Sequence, residues 1–110
     1  MISAGCIALV MYMEARSESF LTQSQVAYVA MNRAAKEKLD ICTSIKRPKS
    51  YSWMWDGENT IVDKKWLRDK MSKRLERNLI GNRLYFNECS MGKLWKTQYP
   101  VVKFDNLCFY

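Results

Sequence analysis

With no histidine in its 110 residues, this chain must move protons largely through its carboxylates. The stretch YMEARSESF, residues 12–20, sets two of them, Glu14 and Glu18, on either side of Arg16, directly after the apolar run MISAGCIALVM. Nucleophilic catalysis of the Ser-His or Cys-His kind is excluded, because the base it needs is missing. Cys6, Cys42, Cys89 and Cys108 form no CxxC pair, so the spacing offers no zinc site, and no metal or other cofactor is expected. The cysteines read as buried thiols with at most one disulfide. A glutamate kept protonated near neutral pH is what a general acid for glycosidic cleavage requires.

The elements that must position Glu14 follow from periodicity. Residues 2–16 predict a helix with Ile7, Val10, Met11 and Glu14 on one side. Glu14 then lies in the last turn, where unpaired carbonyls carry a partial negative charge. Desolvation and that dipole both favour the protonated carboxyl. A capping or salt-bridge role for Glu14 fits the same spacing. Thr22 and Gln25 have the form of a capping box opening a second helix to about Lys38. LDICTSIKRPKS predicts a loop with at most a short helical turn, and YSWMWDGENT, residues 51–60, predicts a hairpin. In residues 63–82, Leu67, Met71, Leu75 and Leu79 recur every fourth position, which predicts one long helix between an Asp63 N-cap and Gly81. The final VVKFDNLCFY reads as extended. The fold class is α+β, mainly α, in one domain over residues 1–110.

A hydrophobic fraction of 48% with 13% aromatics argues for a packed core rather than disorder. The net charge of +7 belongs entirely to residues 45–110, with fourteen basic and seven acidic side chains; residues 1–44 hold four of each. Such an excess draws a polyanion, either nucleic acid or an acidic surface polymer. The N-terminal apolar run lacks a basic leader and is too short to span a bilayer. The expectation is a monomer made in the cytoplasm without a signal peptide.

EARSESFLTQSQVAYVAMNR resembles the opening signature of the SleB-type cell wall hydrolases, a Glu-Ala-Arg-Gly-Glu motif followed by a helix with a Gln, a Val-Ala pair and a terminal Asn-Arg. Glu14, Ala15, Arg16, Glu18, Gln23, Val26, Ala27, Asn32 and Arg33 stand at matching offsets without a gap. YSW, DG, Trp66, Gly81, YFN at 85–87 and the closing FY follow in the family's order. Ser17, Ser19, Thr22, Ser50 and Leu107 depart from it.

The resemblance implies a lysozyme-like helical domain with a small β-hairpin, acting on the β-1,4 bond between N-acetylmuramic acid and N-acetylglucosamine. It implies a phage endolysin that reaches the cell wall of a host and lyses it. The catalytic residues would be Glu14 as acid and Tyr85 beside it, with Glu18, Gln23, Ser52, Trp53 and Asn87 as substrate-binding residues. No second carboxylate pairs clearly with Glu14. That suits a lytic transglycosylase, which uses one carboxylate, better than a muramidase, which uses two. The partners would be peptidoglycan strands and, through the basic helix, anionic wall or membrane polymers. Two other readings are a small basic nucleic-acid-binding protein using residues 64–77 and a hydrolase fold without activity. Against the first, the aromatics cluster at the hairpin rather than among the lysines, and no nucleic-acid motif is present.

Overall fold

The computed structural model describes residues 4–47, 51 and 62–110. Among the described residues four α-helices come first: α1 (Ala4–Ala15), α2 (Phe20–Glu37), α3 (Ile41–Ile45) and α4 (Lys64–Met71). Three short strands follow, β1 (Phe86–Glu88), β2 (Val102–Phe104) and β3 (Leu107–Phe109). The protein is α+β, mainly α, with one antiparallel sheet in the order β1-β3-β2. The hairpin expected at 51–60 lies outside the described residues except for Tyr51. The sheet seen here comes from the last quarter of the chain.

α1 is buried nearly all round, with Ile7, Ala8, Val10, Met11, Tyr12 and Ala15 inside, because α2, α3 and α4 all pack against it. A helix covered on several sides needs no single apolar stripe. α2 is amphipathic in a different sense. Val26, Ala27, Val29 and Ala30 enter the core, and so do Thr22, Gln23, Ser24 and Gln25. Its N-cap is Ser19, whose Oγ accepts from the Thr22 N–H at 3.3 Å, so the helix begins a turn earlier than a Thr22 cap would allow. Its end is a left-handed Lys38 at φ 58°, where Leu39 N–H reaches Ala34 O at 3.0 Å and Lys38 N–H reaches Ala35 O at 3.1 Å. In the sheet, β3 is central and wholly buried, and Phe109 packs between Phe86 and Phe104.

Two further expectations are corrected. The long basic helix stops at Met71, although Asp63 does cap it, its carboxylate accepting from Lys65 N–H and Trp66 N–H. The next residues are drawn onto α2 instead. Ser24 Oγ accepts from Glu76 N–H, Gln25 accepts from Leu79 N–H and donates to Arg77 O, and Tyr28 donates to Glu76 O. Side chains of α2 thus replace the backbone partners that a continued helix would supply, and only Ile80 of this stretch is fully buried. Gly81 has φ +60° in a turn built by Asn78, whose Oδ1 accepts from Ile80 N–H and Gly81 N–H, rather than capping the basic helix.

The second correction concerns the cysteines, all four of which are paired. Cys6 of α1 bonds Cys42 of α3, and Cys89 bonds Cys108 of β3. Each pair joins elements that meet only in the folded chain, with Cα atoms 5.5 and 5.0 Å apart, so sequence spacing gave no sign of it.

Candidate active site at the end of the first helix

Glu14 occupies the last turn of α1, half-buried, on the side whose neighbours Val10 and Met11 are fully inside. The connection that follows is fixed from beneath by Gln23. Its amide Nε2, in a residue only 2% exposed, donates to Ala15 O at 3.1 Å, Arg16 O at 3.4 Å and Glu18 O at 3.0 Å. A helix end leaves carbonyls without partners, and here one side chain supplies the donors. Glu18 N–H closes the turn onto Ala15 O at 3.0 Å. Gln23 therefore turns its amide to the backbone of the α1–α2 connection, and Glu18 is gripped through its carbonyl.

Tyr51 is buried, only 5% exposed. Burial raises its phenol above the ordinary value; Arg33 opposes this by charge and hydrogen bonding, while the Glu14 and Glu37 carboxylates add to the rise. The ring hydroxyl is thus a point on which Glu14, Arg33 and Glu37 all act. Arg33 projects from α2 with its guanidinium carbon 5.1 Å from the Tyr51 ring centre and 5.6 Å from that of Tyr85. Its Nε donates to Leu84 O at 2.7 Å, which ties α2 to the residue before Tyr85. Tyr85 in turn stacks on Trp95 at 5.1 Å, Trp95 meets Tyr110 at 5.5 Å, and Tyr110 N–H bonds Tyr85 O at 2.9 Å.

Arg33 thus lies against both Tyr51 and Tyr85, with Trp95 and Tyr110 behind Tyr85, and the Glu14 charge reaches the Tyr51 hydroxyl. Asn87 lies two residues beyond Tyr85 in β1, opposite Cys108, and its amide donates to Gly92 O at 2.9 Å. Ser52 and Trp53 lie outside the described residues. Arg33, Trp95 and Tyr110 were not singled out as site residues; Arg33 stands in the Asn-Arg pair of the opening signature, whereas Trp95 carries no sequence signal beyond its ring.

Among neighbouring carboxylates, Glu37 is committed elsewhere. Its Oε1 accepts from Ser44 Oγ at 2.9 Å and its Oε2 pairs with Arg47. Asp105, in the β2–β3 turn, accepts from Ser19 N–H, Ser19 Oγ and Thr22 Oγ1. Both serve the fold.

The chain belongs to the Cell Wall Hydrolase family, whose model matches residues 17–110. Glu14 precedes the matched span by three residues. No curated protein and no solved structure matches the chain.

Proposed function

We propose that this cell wall hydrolase is a lysozyme-like endolysin that cleaves the β-1,4 bond between N-acetylmuramic acid and N-acetylglucosamine, with Glu14 as its acid and base. The observation that carries the reading is the half-buried Glu14 at the end of α1, whose charge reaches the buried Tyr51 hydroxyl while Arg33 lies against both Tyr51 and Tyr85. In the first step the Glu14 carboxyl gives its proton to the bridging oxygen as the bond from that oxygen to the muramic C1 breaks. Positive charge then develops on the sugar ring. Tyr85, held between Arg33 and Trp95, has the fixed orientation needed to face that ring.

Among the described residues Glu37 and Asp105 are occupied by structural hydrogen bonds, and this reading takes Glu14 as the one working carboxylate. Glu14, now ionised, takes the proton of the muramic C6 hydroxyl, whose oxygen closes on C1. The product is a 1,6-anhydro end, and Glu14 regains its proton. In this reading Glu18 and Asn87 contact the glycan strand, and Gln23 serves it by holding the connection that carries Glu18.

Mass spectrometry of fragments released from purified peptidoglycan tests the outcome. Anhydro ends are expected; reducing ends would replace the ring closure by attack of water. Glu14→Gln keeps the shape and removes the proton, so release should fall on the order of a hundredfold to ten-thousandfold. A folded Glu14→Gln protein that clears peptidoglycan at nearly the wild-type rate would remove Glu14 from the mechanism.

A further inference from the structure

The face of α1 opposite Glu14 carries a second arrangement that the proposed cleavage does not use. Arg16 lies over Tyr12 at 4.8 Å, Tyr12 meets Trp66 edge-on at 5.2 Å, and Lys70 sits 5.1 Å from Trp66 and 5.2 Å from Phe20. Lys73 completes the row 5.3 Å from Phe20. Tyr12 is two residues from Glu14, about 200° around the helix, so this ledge points away from the candidate active site. Beside it, residues 63–77 hold seven basic and three acidic side chains. Asp63 is used as the N-cap and Asp69 pairs with Lys73 at 3.6 Å. Among the described residues no carboxylate lies within ion-pair range of Lys64, Lys65, Arg68, Lys70 or Arg74.

We propose that this ledge is an exosite for the phosphodiester groups of an anionic cell wall polymer, which holds the enzyme on the wall while the Glu14 face works on the glycan. The source of the polymer rests on the wall-lytic reading; the recognition chemistry does not. Three features select a phosphate chain. The rings are already covered by the stems and charges of Lys70 and Lys73, so they offer no open platform for nucleic-acid bases or sugars. The outward side chains of α4 are Lys64, Lys65, Arg68 and Asp69, with Met71 its one large exposed apolar residue, so the outer face of α4 offers no apolar belt to enter a bilayer. Lys64 and Arg68 recur four residues apart, about 6 Å along the helix axis, and such a ladder of cations suits a repeating polyanion.

The test uses the full chain with Lys64, Lys65, Arg68 and Arg74 all changed to Gln, leaving Lys70 and Lys73 in their ring contacts. Retention is measured on purified walls before and after acid removal of their phosphodiester polymer, with poly(glycerol phosphate), anionic vesicles and duplex DNA as competitors. The wild-type protein should bind intact walls roughly tenfold or more above stripped ones, with a steep salt dependence that the variant loses. Poly(glycerol phosphate) should compete best, and both proteins should cleave stripped peptidoglycan equally. Equal retention on intact and stripped walls, or stronger competition by vesicles or DNA, would overturn the exosite. Retention without any cleavage would refute the activity and leave the exosite standing.

Discussion

Gln23 shows how a single side chain sets the geometry next to a candidate acid. Three backbone carbonyls at the exit of α1 share its one amide nitrogen, in a site almost closed to water. Removing that nitrogen takes the donor from the Arg16 and Glu18 carbonyls, while Ala15 O keeps Glu18 N–H, and costs about 1–3 kcal/mol. Gln23→Ala is expected to lower the thermal midpoint accordingly. Gln23→Glu should do at least as much, because it sets an acceptor against acceptors in the same shape. Peptidoglycan release per folded molecule should also fall, since residues 15–18 carry the chain away from Glu14. Calorimetry and a release assay on the two variants check this, and wild-type stability in both would show that the connection holds itself. Glu14 was legible from its spacing on α1, because helical periodicity fixes which side a residue faces. The work of Gln23 was not, since its partners are backbone atoms and any sequence supplies those. Arg33 lay between these cases: its signature position was visible, but the Tyr51 and Tyr85 rings it joins come from distant parts of the chain.

Two elements, the β2–β3 turn and the start of α2, are joined by one exposed carboxylate. Asp105 adopts φ 51° in the two-residue turn and receives Ser19 Oγ and Thr22 Oγ1, each at 2.6 Å, together with Ser19 N–H at 2.9 Å. Hydrogen bonds from the Ser19 and Thr22 hydroxyls, then from the Ser19 amide, hold its pKa below the usual 3.8. A depressed folded pKa favours the native state while the group is ionised. The contribution is therefore fully present above the unfolded carboxylate value and is lost as pH falls through the folded one. Asp105→Asn tolerates the same left-handed backbone but cannot ionise. Its stability deficit relative to wild type should be constant near neutrality and shrink in acid, below the ordinary carboxylate range, as read from denaturant midpoints across pH. A deficit independent of pH would assign the effect to turn geometry alone. Element by element, α1, the body of α2, the short helical turn at 41–45, the Asp63 cap and the extended C-terminus were readable from local pattern. The length of α4 was not. Its four-residue apolar repeat is a sound helical signal, but the buried Ser24 and Gln25 outbid it by offering side-chain partners to the backbone of residues 76–79.

At the scale of the whole molecule, the two disulfides decide whether a chain of 110 residues stays folded. Their sequence separations are 36 and 19 residues. On the chain-entropy account, each crosslink contributes roughly 3–4 kcal/mol by restricting the unfolded chain. A typical domain has only about 5–15 kcal/mol in all. Reduction is therefore expected to lower the thermal midpoint sharply, and the wider loop makes Cys6–Cys42 the larger contributor to global stability. The second crosslink has a more local task. It joins Cys89, just past β1, to the central strand β3, so it braces the backbone between Tyr85 and Tyr110 and the loop that brings Trp95 against both rings. Replacing Cys6 and Cys42 by Ser should thus reduce stability first and leave release per folded molecule near wild type. Replacing Cys89 and Cys108 should reduce release per folded molecule even under conditions where the protein remains folded. Denaturant midpoints paired with release assays on the two double variants separate these effects. Equal activity losses at equal folded fraction would mean that the aromatic wall behind Tyr85 stands without its crosslink.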